Sequence, residues 1–491
     1  MHRSVRNALS GYLADKTIPR PSNAYVTYTE QTPHRSSMNR KLTEGPVGKQ
    51  LLTLTIPMVW GVFAIIAFNL VDTYFVGQLG TAQLAAMSFT FPVVMTFGSL
   101  AMGLGIGASS VIARAIGEGD ISRVQRFTTN SLTLALTAVI LFVDLGLFTI
   151  DPLFKALGAG PDVLPYVRDY MRIWYFGMVF LVVPMVGNSA IRAAGNTLTP
   201  SIIMTLSAAV NIVLDPLLIT GALGFPRLEI QGAAIATVIA RAMTLVAALL
   251  VLRFKENLLS AQFPDLNETL WCWKDILIVG LPAAASNMIT PISIGVITSF
   301  LAIHGPAAVA GFGVASRLES FALITVMALS ASMGPFVGQN WGAQEFGRVN
   351  RALRQSFLFC IGWGLCMAVS LGLGGRLLSG LFNQDPNVIA VATQYLWLVP
   401  ISYGTAGIIQ VSSSAFNAMG KPMPSIVMTI ARMFVLYIPL AYVGSRIAGP
   451  TGIFVAALVS NVVVGLGAYW WNYRACQRPT VQATPQEVLN R

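Results

Sequence analysis

Charge is what this sequence has least of. Only 10% of its 491 residues are Asp, Glu, Lys or Arg, against ~25% in ordinary soluble domains. That composition excludes a string of water-soluble domains. Cysteine is scarce as well. Cys272, Cys360, Cys366 and Cys476 form no CxxC pair, which excludes a disulfide framework or a zinc ribbon. The histidines, His2, His34 and His304, are too scattered to hold a metal. No GxxxxGK[ST] occurs, so the chain carries no ATP-binding motor of that kind. Neither HExxH nor a Ser/His/Asp set is present, so no enzyme and no cofactor is expected. Basic residues are not interleaved with base-stacking aromatics. The net charge of +11 therefore does not point to nucleic acid.

What is present is oil. Hydrophobic residues make up 55% of the chain, in recurring runs of ~20, each long enough to cross a bilayer as a helix. Barrel strands would show short alternating segments instead. The fold class is an all-α membrane protein with about twelve transmembrane helices. Their expected limits are 50–76, 83–108, 127–150, 165–188, 198–222, 230–253, 275–301, 308–335, 352–374, 389–412, 424–446 and 450–473. "GLGIGASS" (103–110) mimics a nucleotide loop but lies inside a span, where small residues serve close helix packing.

The two halves repeat. "IGEGDISRVQR" (116–126) aligns with "WGAQEFGRVNR" (341–351), and "NSAIRAAGNTLTPSI" (188–202) with "SSAFNAMGKPMPSI" (413–426). Both pairs are 225 residues apart in the numbering. Six spans per half is an even number, so the halves share one orientation. They form two six-helix bundles related by a pseudo-two-fold axis along the membrane normal. The expected domains are a disordered tail (1–45), an N-lobe (46–255), a linker (256–274), a C-lobe (275–474) and a C-terminal tail (475–491). Most Lys and Arg outside the spans fall in the tails and in the loops on the tails' side, among them Arg114, Arg123, Arg126, Arg192, Arg253, Lys255 and Lys421. By the positive-inside bias both termini are expected in the cytoplasm.

Against this background a few polar residues stand out. Asp72 lies near the outer end of span 1. Asn211 and Asp215 lie four apart in span 5 and share a helix face. Counted from the outer ends at ~1.5 Å per residue, Asp72, Asp215 and Thr237 of span 6 sit roughly 10–15 Å below the outer face. Tyr170 of span 4 is near the same layer. The repeat places Ile297 opposite Asp72 and Ile438 opposite Asp215, so the carboxylates belong to the first half alone. A mid-span Asp costs ~2.5–3.5 kcal/mol on insertion scales, and a bound cation or proton is the natural compensation. Hard oxygen ligands suit Na⁺, and burial lets a proton compete for the same carboxylate. Arg317 and Glu319 in span 8, with Asn287 in span 7, form a candidate second coupling or substrate site. Two apart, Arg317 and Glu319 do not face each other on a helix.

The motifs "VDTYFVGQLG" (71–80), "ARAIGEGD" (113–120), "NIVLDPLL" (211–218), "QGAAIATVIAR" (231–241), "VGQNWGA" (337–343) and "AMGKP" (418–422) together resemble the multidrug and toxic compound extrusion (MATE) family. The resemblance covers nearly all of the chain after the first 45 residues. It implies two lobes with a V-shaped opening and export of amphipathic, often cationic, compounds in exchange for H⁺ or Na⁺. In members with an N-lobe ion site, the binding residues fall on Asp72, Asn211, Asp215 and Thr237, with Tyr170 a looser match. Where Na⁺ is the ion, the same four residues are its ligands. The acids that other members carry in helices 7 and 10 have no counterpart here. The expected partners are amphipathic small molecules and the lipid bilayer, and the expected form is a monomer in the cytoplasmic membrane. A lipid or oligosaccharide-precursor flippase shares the architecture and would want a basic cavity, compatible with Arg241, Arg317 and Arg432. A receptor or scaffold would bind without flux.

Overall fold

The computed structural model describes residues 42–77, 81–260 and 265–477. Most of the two expected tails lies outside the described residues, as do several side chains at the end of the first helix and the start of the second, Asp72 among them. Within these limits the chain is almost wholly helical. In hydrocarbon no water is available to backbone N–H and C=O groups, so each segment must satisfy its own.

The first half holds α1 (Val47–Gly77), α2 (Thr81–Glu118), α3 (Ile121–Ala156), α4 (Leu164–Ala193), α5 (Leu198–Thr220) and α6 (Glu229–Leu250). The second half holds α7 (Leu266–Ala302), α8 (Pro306–Ala322), α9 (Ile324–Gly342), α10 (Phe346–Phe382), α11 (Pro386–Leu398), α12 (Tyr403–Ala418), α13 (Met423–Ile430) and α14 (Ile438–Gln477). The crossings reduce to the expected twelve. α8 and α9 make one span bent by 49°. α11 and α12 make another through a 3₁₀ turn. A π-helical turn, Ala431–Tyr437, carries α13 into α14. The Met423–Ala475 stretch is too long for one crossing and breaks at Ala448–Gly449, where Gly449 takes φ 61°. Several helices run longer than the expected spans. α2 continues ten residues past 108, because its end packs in the protein rather than in lipid.

Local chemistry sets the ends. Asp120 caps α3 by accepting from Arg123 N–H at 2.9 Å, and Asp385 caps α11 through Asn387 N–H at 2.9 Å. Gly119 (φ 82°) begins the turn between α2 and α3, and its repeat mate Gln344 (φ 61°) holds the same left-handed conformation between α9 and α10. Gly195 and Gly420 repeat a second such turn. The backbone thus keeps the 225-residue repeat even where the side chain changes.

The first bundle's core is built from α2, α3, α4 and α6; the second bundle has two cores, one toward each end of its helices. Two helices do not keep to one bundle. Leu42, Val47, Leu51 and Leu54, at and before the start of α1, lie in the core of α9, α10 and α12. Farther along α1, Gly61 abuts Ser201 of α5. In mirror fashion Cys272 and Ile276 of α7 lie in the first bundle's core, whereas Ile297 and Leu301 lie in the second's.

The bundles meet where α2 crosses α9, and the contact is backbone on backbone. A Cβ on Gly117 would stand 2.0 Å from the Gln339 carbonyl oxygen, and one on Gly342 2.1 Å from that of Arg114. These are repeat mates, as are Gly338 and Ala113, which face each other between them. The pseudo-two-fold axis passes through this point. α7 approaches α2 as closely. Cβ atoms on Gly103 and Gly107 would stand 2.5 Å and 2.4 Å from the Gly280 and Ile276 carbonyl oxygens. The glycines of "GLGIGASS" serve packing, as expected. These contacts run from mid-membrane toward the side on which the described chain begins and ends, here called the terminal side.

Gly117→Val or Gly342→Val is expected to lose at least about 1–3 kcal/mol, because rigid backbone cannot yield to the added atoms. Gly347→Ala meets open space and is expected to be neutral or slightly stabilising. Thermal unfolding of the detergent-purified protein reads both.

Candidate coupling-ion site

Three expected residues come together at the α5–α6 contact. α6 reaches α5 closely because Gly232 has no side chain; a Cβ there would stand 2.4 Å from the Leu218 carbonyl oxygen. Lower down, Ser207 Oγ donates to the Ala240 carbonyl at 3.0 Å. Between these two pins, Thr237 faces Asn211. With its amide assigned to satisfy both ends, Asn211 Nδ2 donates to Asp215 Oδ2 at 2.9 Å, and its Oδ1 accepts from Thr237 N–H at 3.2 Å. The Thr237 hydroxyl lies 3.4 Å from the amide. Asp215 is 0% and Asn211 1% exposed. A carboxylate so buried is costly unless bonded or neutralised. Pro216 follows Asp215 and removes one backbone donor from α5.

Asp72 lies on α1, with its side chain outside the described residues. Tyr170 is buried on α4 in the first bundle's core. One turn below Thr237 on α6, Arg241 holds its guanidinium 5.8 Å from the ring of Phe68 on α1.

A second polar cluster lies in the other half. Tyr395 OH of α11 donates to Glu319 Oε2 of α8 at 2.5 Å. The charge of Arg432, on the π-helical turn, acts on the same carboxylate. Tyr403 of α12 is 1% exposed, and its hydroxyl has no hydrogen-bond partner among the described residues. Of the expected second site, Glu319 thus gathers different neighbours. Arg317 is exposed and points elsewhere, as two-residue spacing requires. Asn287 is half-buried on α7 with its Nδ2 unpartnered among the described residues. Sequence reasoning did not find Tyr395 and Tyr403. Their only signal was a tyrosine inside an apolar span.

A sequence profile of the MatE family matches residues 57–217 and 282–443, two blocks that start 225 residues apart. The FAD transporter of Shewanella oneidensis is 39% identical over 448 residues, covering 91% of this chain and 99% of that one. Multidrug export protein MepA of Staphylococcus haemolyticus is 26% identical, covering 89% of this chain and 96% of that one. A crystal structure of the Vibrio cholerae MATE transporter VcmN superposes with a TM-score of 0.84 at 32% identity, over 88% of this chain and 97% of that one. With the profile matching both halves and relatives matching nearly end to end, the chain belongs to the MatE family of membrane transporters.

Proposed function

We propose that this protein is a secondary active exporter of the cytoplasmic membrane. It exchanges H⁺ or Na⁺ for amphipathic organic compounds by alternating access, with its terminal side in the cytoplasm. The observation that carries this reading is the buried trio Asn211, Asp215 and Thr237. A carboxylate at 0% exposure in a membrane helix is an expensive group that a proton or cation makes affordable. Asp72, expected at the same depth, completes the site. The positive-inside bias of the loops supports the sidedness.

The driving force suffices. A potential of ~100 mV contributes about 2.3 kcal/mol per charge, and one pH unit or a tenfold Na⁺ gradient adds ~1.4 kcal/mol. Together they support a gradient of some hundreds for a neutral cargo exchanged one for one. Exporting a cation would cancel the potential's share. The cargo is drawn between two poles by the relatives: multidrug export for one, FAD for the more similar other. Arg241 beside Phe68 favours aromatic anions such as flavin nucleotides among the cargoes.

Release of an aromatic cationic dye and of FAD from proteoliposomes is expected to follow an imposed pH or Na⁺ gradient. Asp215→Asn and Asp72→Asn are expected to lower gradient-driven release at least about tenfold with insertion unchanged. Retained release by both variants would place coupling elsewhere, with Glu319 next in line. Thr237→Val tells the ions apart, since Na⁺ needs oxygen ligands and a proton needs only the carboxylate. It is expected to weaken Na⁺-driven release about tenfold and to leave H⁺-driven release within about threefold.

A further inference from the structure

A cavity of about 190 Å³ lies between the start of α3 and the first turns of α7, on the terminal side. Arg123, Arg126, Phe127, Glu268, Trp271 and Cys272 line it. One water needs only ~10–15 Å³, so a larger group fits. Beneath the cavity Trp273 Nε1 donates to the Asn130 carbonyl at 3.1 Å and pins α7 to α3. The two arginines have more donors than the protein answers. A guanidinium carries five N–H bonds. Among the described residues, Arg123 places Nη1 on Glu118 Oε2 at 2.5 Å, and its Nε is buried without a partner. Arg126 reaches Glu268 Oε1 through Nη1 at 3.0 Å. The Arg123 guanidinium also lies 5.4 Å and 5.8 Å from the ring centres of Phe127 and Trp271. Those rings hold the arginine without using its donors.

The repeat shows what such an arginine binds. The mate of Arg123 is Arg348 on α10, whose donors are met by oxygens within the second bundle. Its Nη1 donates to the Gly45 carbonyl at 2.7 Å, its Nη2 to the Leu42 carbonyl at 3.0 Å and its Nε to Asn340 Oδ1 at 2.8 Å. Leu42 and Gly45 belong to the non-helical approach to α1. Their mates, Asn267 and Leu270, already lie inside α7, where carbonyls serve the helix itself. The mate of Asn340 is Ala115, which has no side-chain oxygen. The first half thus keeps the arginine and lacks these three acceptors.

Position and charge select what replaces them. Trp271 is half-exposed where α7 enters the membrane, the level at which tryptophan gathers. Exposed Ile140 of α3 and Ile278 of α7 continue the apolar surface inward. A ligand that brings oxygen acceptors to the cavity and apolar chains to that surface is a phospholipid. Glu118 and Glu268 already offset the two arginines. A net anion would therefore add surplus negative charge beside Glu268. A zwitterion adds none, since its phosphodiester accepts from the arginines and its ammonium donates to the glutamate.

We propose that this cavity binds the headgroup of an aminophospholipid from the terminal-side leaflet. Arg123 and Arg126 hold its phosphodiester and Glu268 its ammonium group. The site is independent of the exporter reading and is tested without transport.

The full chain, purified in detergent and stripped of native lipid, is titrated separately with dioleoyl phosphatidylethanolamine, phosphatidylglycerol and phosphatidylcholine. Native mass spectrometry counts the lipid retained. One phosphatidylethanolamine per chain is expected to bind at least about fivefold more tightly than either other lipid. Arg123→Ala is expected to weaken that binding about tenfold or more, the scale of one hydrogen bond to a charged group. Arg253→Ala, at an exposed arginine on the same side but outside the cavity, should leave it unchanged. Glu268→Gln keeps the side chain's shape and removes its charge. It should abolish most of the preference over phosphatidylglycerol, and it reports on the headgroup whether or not Arg123→Ala folds. Equal or tighter binding of phosphatidylglycerol by the wild type overturns the proposal. So does an unchanged preference in Glu268→Gln, or an equal loss in Arg253→Ala, which would mean diffuse surface charge. Inorganic phosphate binding as tightly as the lipid would mark the site of a soluble anion and overturns it too.

Discussion

Two backbones crossing at van der Waals distance on a symmetry axis are the constraint from which the rest follows. At Ala113 and Gly338 the helices α2 and α9 meet with no side chain long enough to hold them apart, and Gly117 and Gly342 admit each other's neighbouring carbonyls. Between helices in lipid there is little hydrophobic gain, so close packing of small residues must supply the attachment. A two-fold relation doubles each such contact. The crossing fixes where the bundles touch, leaves α1 and α7 to run from one bundle to the other, and leaves the Asn211–Asp215–Thr237 trio on two other helices, α5 and α6.

That separation is physically useful. The Asn211–Asp215–Thr237 trio is held by two pins within one bundle, Gly232 under the Leu218 carbonyl and the Ser207–Ala240 hydrogen bond. Its geometry is therefore set by α5 and α6 and not by the partner bundle. Glu319 differs. Its neighbours come from α11 and from the π-helical turn, and Tyr395 already donates to one carboxylate oxygen. The two acids thus have unlike surroundings within one repeat-built scaffold.

Much of this could be read before the structure. Runs of apolar residues marked the crossings, and motif pairs 225 apart gave the repeat that Gly119 and Gln344, or Gly195 and Gly420, express in backbone angles. The i, i+4 spacing joined Asn211 to Asp215, and depth counting brought Thr237 beside them. What escaped was whatever depends on side chains from distant helices. Nothing about Tyr395 says that it donates to Glu319, because the π-helical turn and the 3₁₀ turn that aim that region have no periodic signature. The approach to α1 was invisible for a related reason. Residues 42–46 look like the end of a polar tail until Arg348 and Asn340, some 300 positions later, bind their carbonyls.

The shared helices have a mechanical consequence. α1 is anchored in one rigid body near its start and in the other beyond Met58, and Pro57 stands at the changeover. Its repeat mate Pro282 stands in α7 among the residues pressed on α2, and Pro291 stands between those and the residues in the opposite core. Each proline leaves one carbonyl without its helical donor, and that is where a helix bends most cheaply. If the bundles rock about the α2–α9 crossing, neither α1 nor α7 can follow both as a stiff rod. The angle has to be absorbed along these two helices, and each carries a proline between its two anchorages. A rotation of about 10° acting over about 20 residues of helix, at ~1.5 Å each, swings its end by about 5 Å. That is close to one full helical turn, enough to exchange one layer of side-chain neighbours for the next.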